Sequence, residues 1–112
     1  MSAIVESWLQ KAISQRGVLA CGVRLADRTF LIRTNRDELS PARIEQAMKK
    51  LGDAVQAIQQ NQLPADRLCW TFESGEIICS PRAGGVIVAL FVNKDIAKAE
   101  DMDKLLATFK AE

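Results

Sequence analysis

The chain is 112 residues long, 48% apolar and 26% charged, with 15 basic against 14 acidic side chains and a formal charge of +1. That is the composition of one globular domain, expected over residues 1–112, and large enough to bury roughly two-thirds of its unfolded surface without a metal or disulfide. It excludes an electrostatic reader of nucleic acid, while the absence of any stretch near ~20 apolar residues and of a basic, then apolar, leader in MSAIVESWLQK predicts a cytoplasmic protein with no membrane span.

From Ser2, read as an N-cap, apolar residues recur at Ile4, Val5, Trp8, Leu9, Ala12 and Ile13, the double stripe of one helical face, and Gly17 is read as its end. GVLACGVRLADRTFLIRTN holds two strand-like runs about the turn cluster Ala26-Asp27-Arg28-Thr29, a hairpin. Alternation sends Leu19, Cys21, Val23 and Leu25 to one face and Val18, Ala20, Gly22 and Arg24 to the other. The small Ala20 and Gly22 would let a helix lie close on the second face.

Ser40 as N-cap and Pro41 at the first helical position open a long helix, because proline's missing N–H is not needed there. Ile44, Met48, Leu51, Val55 and Ile58 form its buried stripe. Ala47, Ala54 and Ala57 run beside it, either as filler or as the contact line for another helix. Pro64 closes the segment, and RLCWTFESGEIICS reads as strand, Ser74-Gly75 turn, strand. Pro81 to Gly85 then separates this hairpin from residues 86–92, apolar at seven consecutive positions, which predicts a central strand covered on both faces. Met102, Leu105, Leu106 and Phe109 mark a last helix, entered near Asp95 or Asp101. Helices grouped around runs of antiparallel strands predict an α+β sandwich.

Chemistry is sparse. Without histidine the chain lacks the commonest general acid-base and metal ligand. Cys21 has Arg24 nearby and Cys79 has Arg82, but in strands these read as chance neighbours and not as thiol activators. All three cysteines, Cys69 included, are read as reduced core residues. Whether Cys69 and Cys79 face each other depends on the hairpin register: a two-residue turn puts them on opposite faces, a turn one residue longer pairs them. Glu73 with Glu76, and Asp101 with Asp103, read as solvated surface. Gly84-Gly85 is followed by a strand and not by a helix N-terminus, so it reads as a tight turn and not as a phosphate loop. No enzyme, no cofactor and no metal are expected.

The element order, GVLACGVRLADRTFLIRTN with its second strand ending in IRT, and EIICSPRAGGVIVALFVN with its apolar last strand resemble the roadblock family of dynein light chains and their bacterial and archaeal relatives. The family usually has a glycine at the first turn, where this chain has Asp27-Arg28. The resemblance implies a five-stranded antiparallel sheet with the long middle helix on one face and two terminal helices on the other. It also implies a dimer in which third strands pair edge to edge and middle helices pack together, serving as a platform for a Ras-like small GTPase or as an adaptor in a larger complex.

That would place Leu68, Cys69, Trp70, Thr71, Phe72, Ala47 and Ala54 at a homodimer interface. It leaves Arg43, Gln46, Lys50, Asp53 and Gln56, on the polar side of the middle helix, as partner-binding candidates. The residues point the same way: an edge strand carrying Leu68, Cys69, Trp70 and Phe72 has no lysine or proline to block pairing, whereas the other edge, residues 30–36, carries Arg33 and Arg36. An adaptor subunit of another complex and a small-molecule sensor domain stand as the alternatives.

Overall fold

The computed structural model describes residues 2–35, 40–61, 67–72 and 75–109. Three helices and five strands follow in the order α1 (Ser2–Ile13), β1 (Val18–Arg24), β2 (Phe30–Thr34), α2 (Pro41–Gln60), β3 (Leu68–Phe72), β4 (Gly75–Pro81), β5 (Ile87–Val92) and α3 (Ala99–Thr108), with one 3-10 turn at Ala83–Gly85. The strands make one antiparallel sheet in the order β2-β1-β5-β4-β3. The seven-residue apolar run is its centre: every residue of β5 is buried.

Two apolar layers cover the faces. On one, Val5, Trp8, Leu9 and Ala12 of α1 and Met102, Leu105 and Leu106 of α3 meet Cys21, Val23, Ile78, Val88, Leu90 and Val92. On the other, Ile44, Met48, Leu51 and Val55 of α2 meet Ala20, Cys79, Ile87, Ala89 and Phe91. Gly22 matters here for want of a side chain: a Cβ would stand 2.4 Å from Met48 Sδ, so glycine is what lets α2 lie this close to β1. Val18 differs from the simple alternation and joins the α1 side, because the β1–β5 register shifts between Val18 and Ala20.

The ends of the elements follow local chemistry. The Ser40 side chain accepts from the Arg43 N–H, with Pro41 in the first turn, and Asn61 closes α2 by donating from Nδ2 to the Ala57 carbonyl at 2.8 Å. Pro64 and Arg36 lie outside the described residues, as does the Ser2 side chain. α1 stops at Ile13, before Gly17, whose φ of +93° and contact with Ala97 serve the entry to β1. Neither Asp95 nor Asp101 caps α3: its N-cap is Lys98, without a side-chain bond, while Asp95 donates its N–H to Asn93 Oδ1.

At the first turn Arg28 takes a φ of 72°, the left-handed conformation that a glycine adopts without cost. Asp27 supports it, accepting from the Thr29 N–H at 2.9 Å, and hydrogen bonding from the Thr29 side chain first and its N–H next holds the carboxyl below the usual range.

α3 is tied down at its C-terminal end. Trp8 Nε1–H donates to the Leu105 carbonyl at 2.8 Å and the indole meets Phe109 edge-on at 5.1 Å. Arg82 donates to the Leu106 and Phe109 carbonyls, lies 5.6 Å from the Phe109 ring centre and donates from Nε to Ser80 Oγ. A guanidinium on the last carbonyls satisfies acceptors that a helix end leaves open.

Candidate interaction surfaces

β3 is an edge of the sheet, bonded only to β4. Leu68 and Trp70 are half-buried, Cys69 and Thr71 are exposed, and the Phe72 side chain lies outside the described part. The β3–β4 register pairs Leu68 with Cys79, Cys69 with Ile78 and Phe72 with Gly75. Cys69 and Cys79 therefore point to opposite faces. Gly75 belongs to the strand and not to the turn, and the two residues between it and Phe72, Glu73 among them, are outside the described residues.

Cys69 is the exception among the cysteines, for it is exposed while Cys21 and Cys79 are buried; all three are free. Burial pushes the Cys21 thiol up to about 12 and the Cys79 thiol up to about 11, against only partial relief from Arg33 and Arg24 respectively. Those arginines come from register and packing: Arg33 pairs directly across from Cys21 on β2. Cys69 is also raised, by desolvation first and Glu76 next. None of the three has the lowered thiol of a nucleophile.

Leu68, Trp70 and Ile77 belong to the α2-side cluster, yet they stay only partly covered because α2 lies closer to β1 and β2 than to β3. The apolar face of the sheet thus runs on past the helix to the open edge. Ala47 and Ala54 are half-buried on the flank of α2, Ala57 is exposed and Ile58 is half-buried. Arg43, Gln46, Lys50, Asp53 and Gln56 are all exposed along the outer side of the same helix. At the opposite edge Arg33 of β2 is engaged, 3.6 Å from Glu6 and donating to the Ile32 carbonyl.

Two features escaped sequence reasoning. Gly52, in the middle of α2, is buried against Arg24 of β1, whose Nη2 donates to the Gly85 carbonyl at 3.0 Å and whose Nε is buried without a partner among the described residues. A glycine inside a helical stripe was the available signal. The second is a hollow of about 380 Å3 between α3 and the β3–β4–β5 side of the sheet, lined by Cys69, Ile78, Val92, Met102 and several charged groups. Of the charges around it, Arg67 pairs with Asp103, and Glu76 accepts from the Thr71 hydroxyl at 3.4 Å. Among the described residues no group of three or more cysteine, aspartate or glutamate side chains is placed to hold a metal ion, and no helix is long and apolar enough to cross a membrane.

A five-stranded antiparallel sheet in this order, with one long helix on one face and the two terminal helices on the other, is the roadblock fold. The chain is similar to the Roadblock/LC7 domain from Streptomyces avermitilis, with a TM-score of 0.63 at 10% identity, over 91% of each chain. It is also similar to MglC from Myxococcus xanthus, with a TM-score of 0.57 at 14% identity, over 93% of this chain and 91% of that one. No family model matches the sequence, and no curated protein matches it by sequence.

Proposed function

We propose that the chain is a non-enzymatic homodimeric platform, built by pairing β3 with β3 of a second copy, and that the dimer binds or modulates a Ras-like small GTPase. The observation that carries the dimer is the apolar sheet face that outruns its helix: Leu68, Trp70 and Ile77 are left half-buried beside an unpaired edge. A two-fold axis perpendicular to the sheet keeps each residue on its own face, so the pairing must be centred on a residue opposite its own copy. Centred on Trp70, the middle of β3, it stacks indole beside indole on the α2 face and lets the second copy's α2 approach along the Ala47 and Ala54 flank. A ten-stranded sheet with two middle helices results.

The GTPase part of the reading rests on the resemblance to the roadblock family together with the fold shared with the Roadblock/LC7 domain and MglC structures. Arg43, Gln46, Lys50, Asp53 and Gln56 form the exposed polar side of α2 that such a partner would meet. The dimer supplies shape and position, and any effect on GTP hydrolysis comes from ordering the GTPase's own residues.

Light scattering at micromolar concentration should give a dimer. Mixing that dimer with the small GTPases of its own genome, loaded with GDP or a GTP analogue, should give binding that favours one nucleotide state. A clean monomer sinks the whole reading; a dimer that binds no GTPase in either state moves it to an adaptor subunit of another complex.

A further inference from the structure

α1 and α3 lie on the face of the sheet away from α2, and their outer surfaces leave a gap. Two hollows there, of about 420 and 240 Å3, share Lys11 and Thr108 in their linings and adjoin as a furrow. Along α1 it runs from Ile4 through Ser7 to Lys11, a single helical stripe ~10 Å long, about two helical turns, and Gln15 extends it past the helix end.

The lining is apolar below and basic above. Trp8 and Leu105 are buried in its floor. Ile4, at one end, is 52% exposed although it sits on the same stripe as core residues of α1. Lys11, Lys104 and Asp101 also line the furrow, and none of the three is in an ion pair among the described residues. Two ammonium groups against one carboxylate leave a positive surplus over the apolar floor.

We propose that this furrow docks a short amphipathic helix of a second protein, its aliphatic side chains over Ile4, Trp8 and Leu105 and an acidic side chain between Lys11 and Lys104. A helix suits the site because the walls are helices and offer no strand edge, so the guest must satisfy most of its own backbone. An acidic guest suits it because Asp101 offsets only one of the two lysines. A nucleic acid does not, since its phosphates would meet Asp101 beside an apolar floor on a chain of net charge +1. The furrow is remote from both α2 and the edge of β3, so the inference is independent of the proposed dimer.

The test uses the full chain and a displayed library of random peptides of about sixteen residues, long enough for the furrow and its ends. Selected peptides should carry aspartate or glutamate among aliphatics spaced three and four apart. As synthetic peptides in fluorescence anisotropy, they should bind about tenfold more weakly to Ile4→Asp and to the double variant Lys11→Glu/Lys104→Glu, and unchanged to Lys49→Glu on α2. Replacing the peptide's acid by lysine should restore binding to the double variant, which a merely misfolded protein would not allow. Recovery of no peptide, of peptides indifferent to the lysine reversals, or of peptides lost on Lys49→Glu would each overturn the proposal.

Discussion

Arg24 of β1 occupies the space in which residue 52 of α2 would otherwise carry a side chain: a Cβ on Gly52 would stand 2.6 Å from Arg24 Nη1. The helix gives up about 1 kcal/mol of propensity by holding glycine there. In return the guanidinium fits against α2 at Gly52 and bonds the Gly85 carbonyl. Gly52→Ala should therefore destabilise the wild-type chain, by about 0.5–1 kcal/mol, as loss of the arginine's bond outweighs the propensity gain. In an Arg24→Ala background the same change should stabilise by about 1 kcal/mol. Urea midpoints of the four proteins give the sign; an equal effect in both backgrounds would show that the two residues are not coupled.

Thr71→Pro tests the edge. With a two-residue connection the Phe72–Gly75 pair bonds to itself, so alternation turns the Thr71 N–H away from β4 and toward any added strand. Proline there removes a donor needed only by the dimer. Light scattering should show a folded monomer, with the dissociation constant raised about a hundredfold or more. If the variant remains dimeric at micromolar concentration, pairing runs through another surface.

The thiols predict a pH dependence. In an unfolded chain Cys21 and Cys79 begin to ionise near their ordinary 9.0, whereas burial keeps them protonated in the folded chain up to about 12 and about 11. A raised folded value means that the stabilisation is full below pH 9 and drains as pH climbs through 9 to 11, at up to roughly 1.4 kcal/mol per pH unit per thiol. Stability measured at pH 8 and pH 10 should fall, and less so in Cys21→Ala. Thiol labelling of the native chain at pH 8 should modify Cys69 first, leaving the buried pair for the unfolded state; rapid labelling of all three would contradict the burial.

Arg82 should be the fastening of α3. Arg82→Met removes the donors to Leu106 and Phe109 and should cost about 1–3 kcal/mol, with amide exchange accelerated in α3 and not in β5. Lys at this position should rescue little, because an ammonium cannot serve two carbonyls and lie over the Phe109 ring as a planar fork does. Equal acceleration in α3 and β5 would mean that the helix does not open on its own.

Much of this architecture is legible in residue order. Seven apolar positions in a row demand a strand covered on both faces, and β5 is that strand. The stripe from Ile44 to Val55, with Ser40 and Pro41 before it, marks α2 and its buried side. The edge character of β3 follows once three strands meander, and Trp70 marks its apolar face. What sequence could not supply is lateral placement. Ile4 fits the core stripe of α1 by periodicity but sits at its margin, and only the position of α3 decides that it faces the gap. Cys69 reads like its buried namesakes, and its exposure depends on how far α3 reaches over the sheet. The Arg24–Gly52 contact likewise exists only because α2 crosses β1 at that point.

The seam between β1 and β5 joins partners distant along the chain, Val18 with Val92 and Arg24 with Ile87. During synthesis the first hairpin must wait, one side of β1 unpaired, until nearly the whole chain has emerged. Closing that long loop is the entropic barrier to folding, which places this protein among the millisecond folders and not the microsecond helical bundles. Substitutions in the seam should slow folding, while those in β3, which pairs locally, should mainly hasten unfolding. The strand that waits longest for its neighbour is thus the one exposed to wrong partners, and Arg24, at its last residue, is the one charge that its own sequence sets on that unfinished edge.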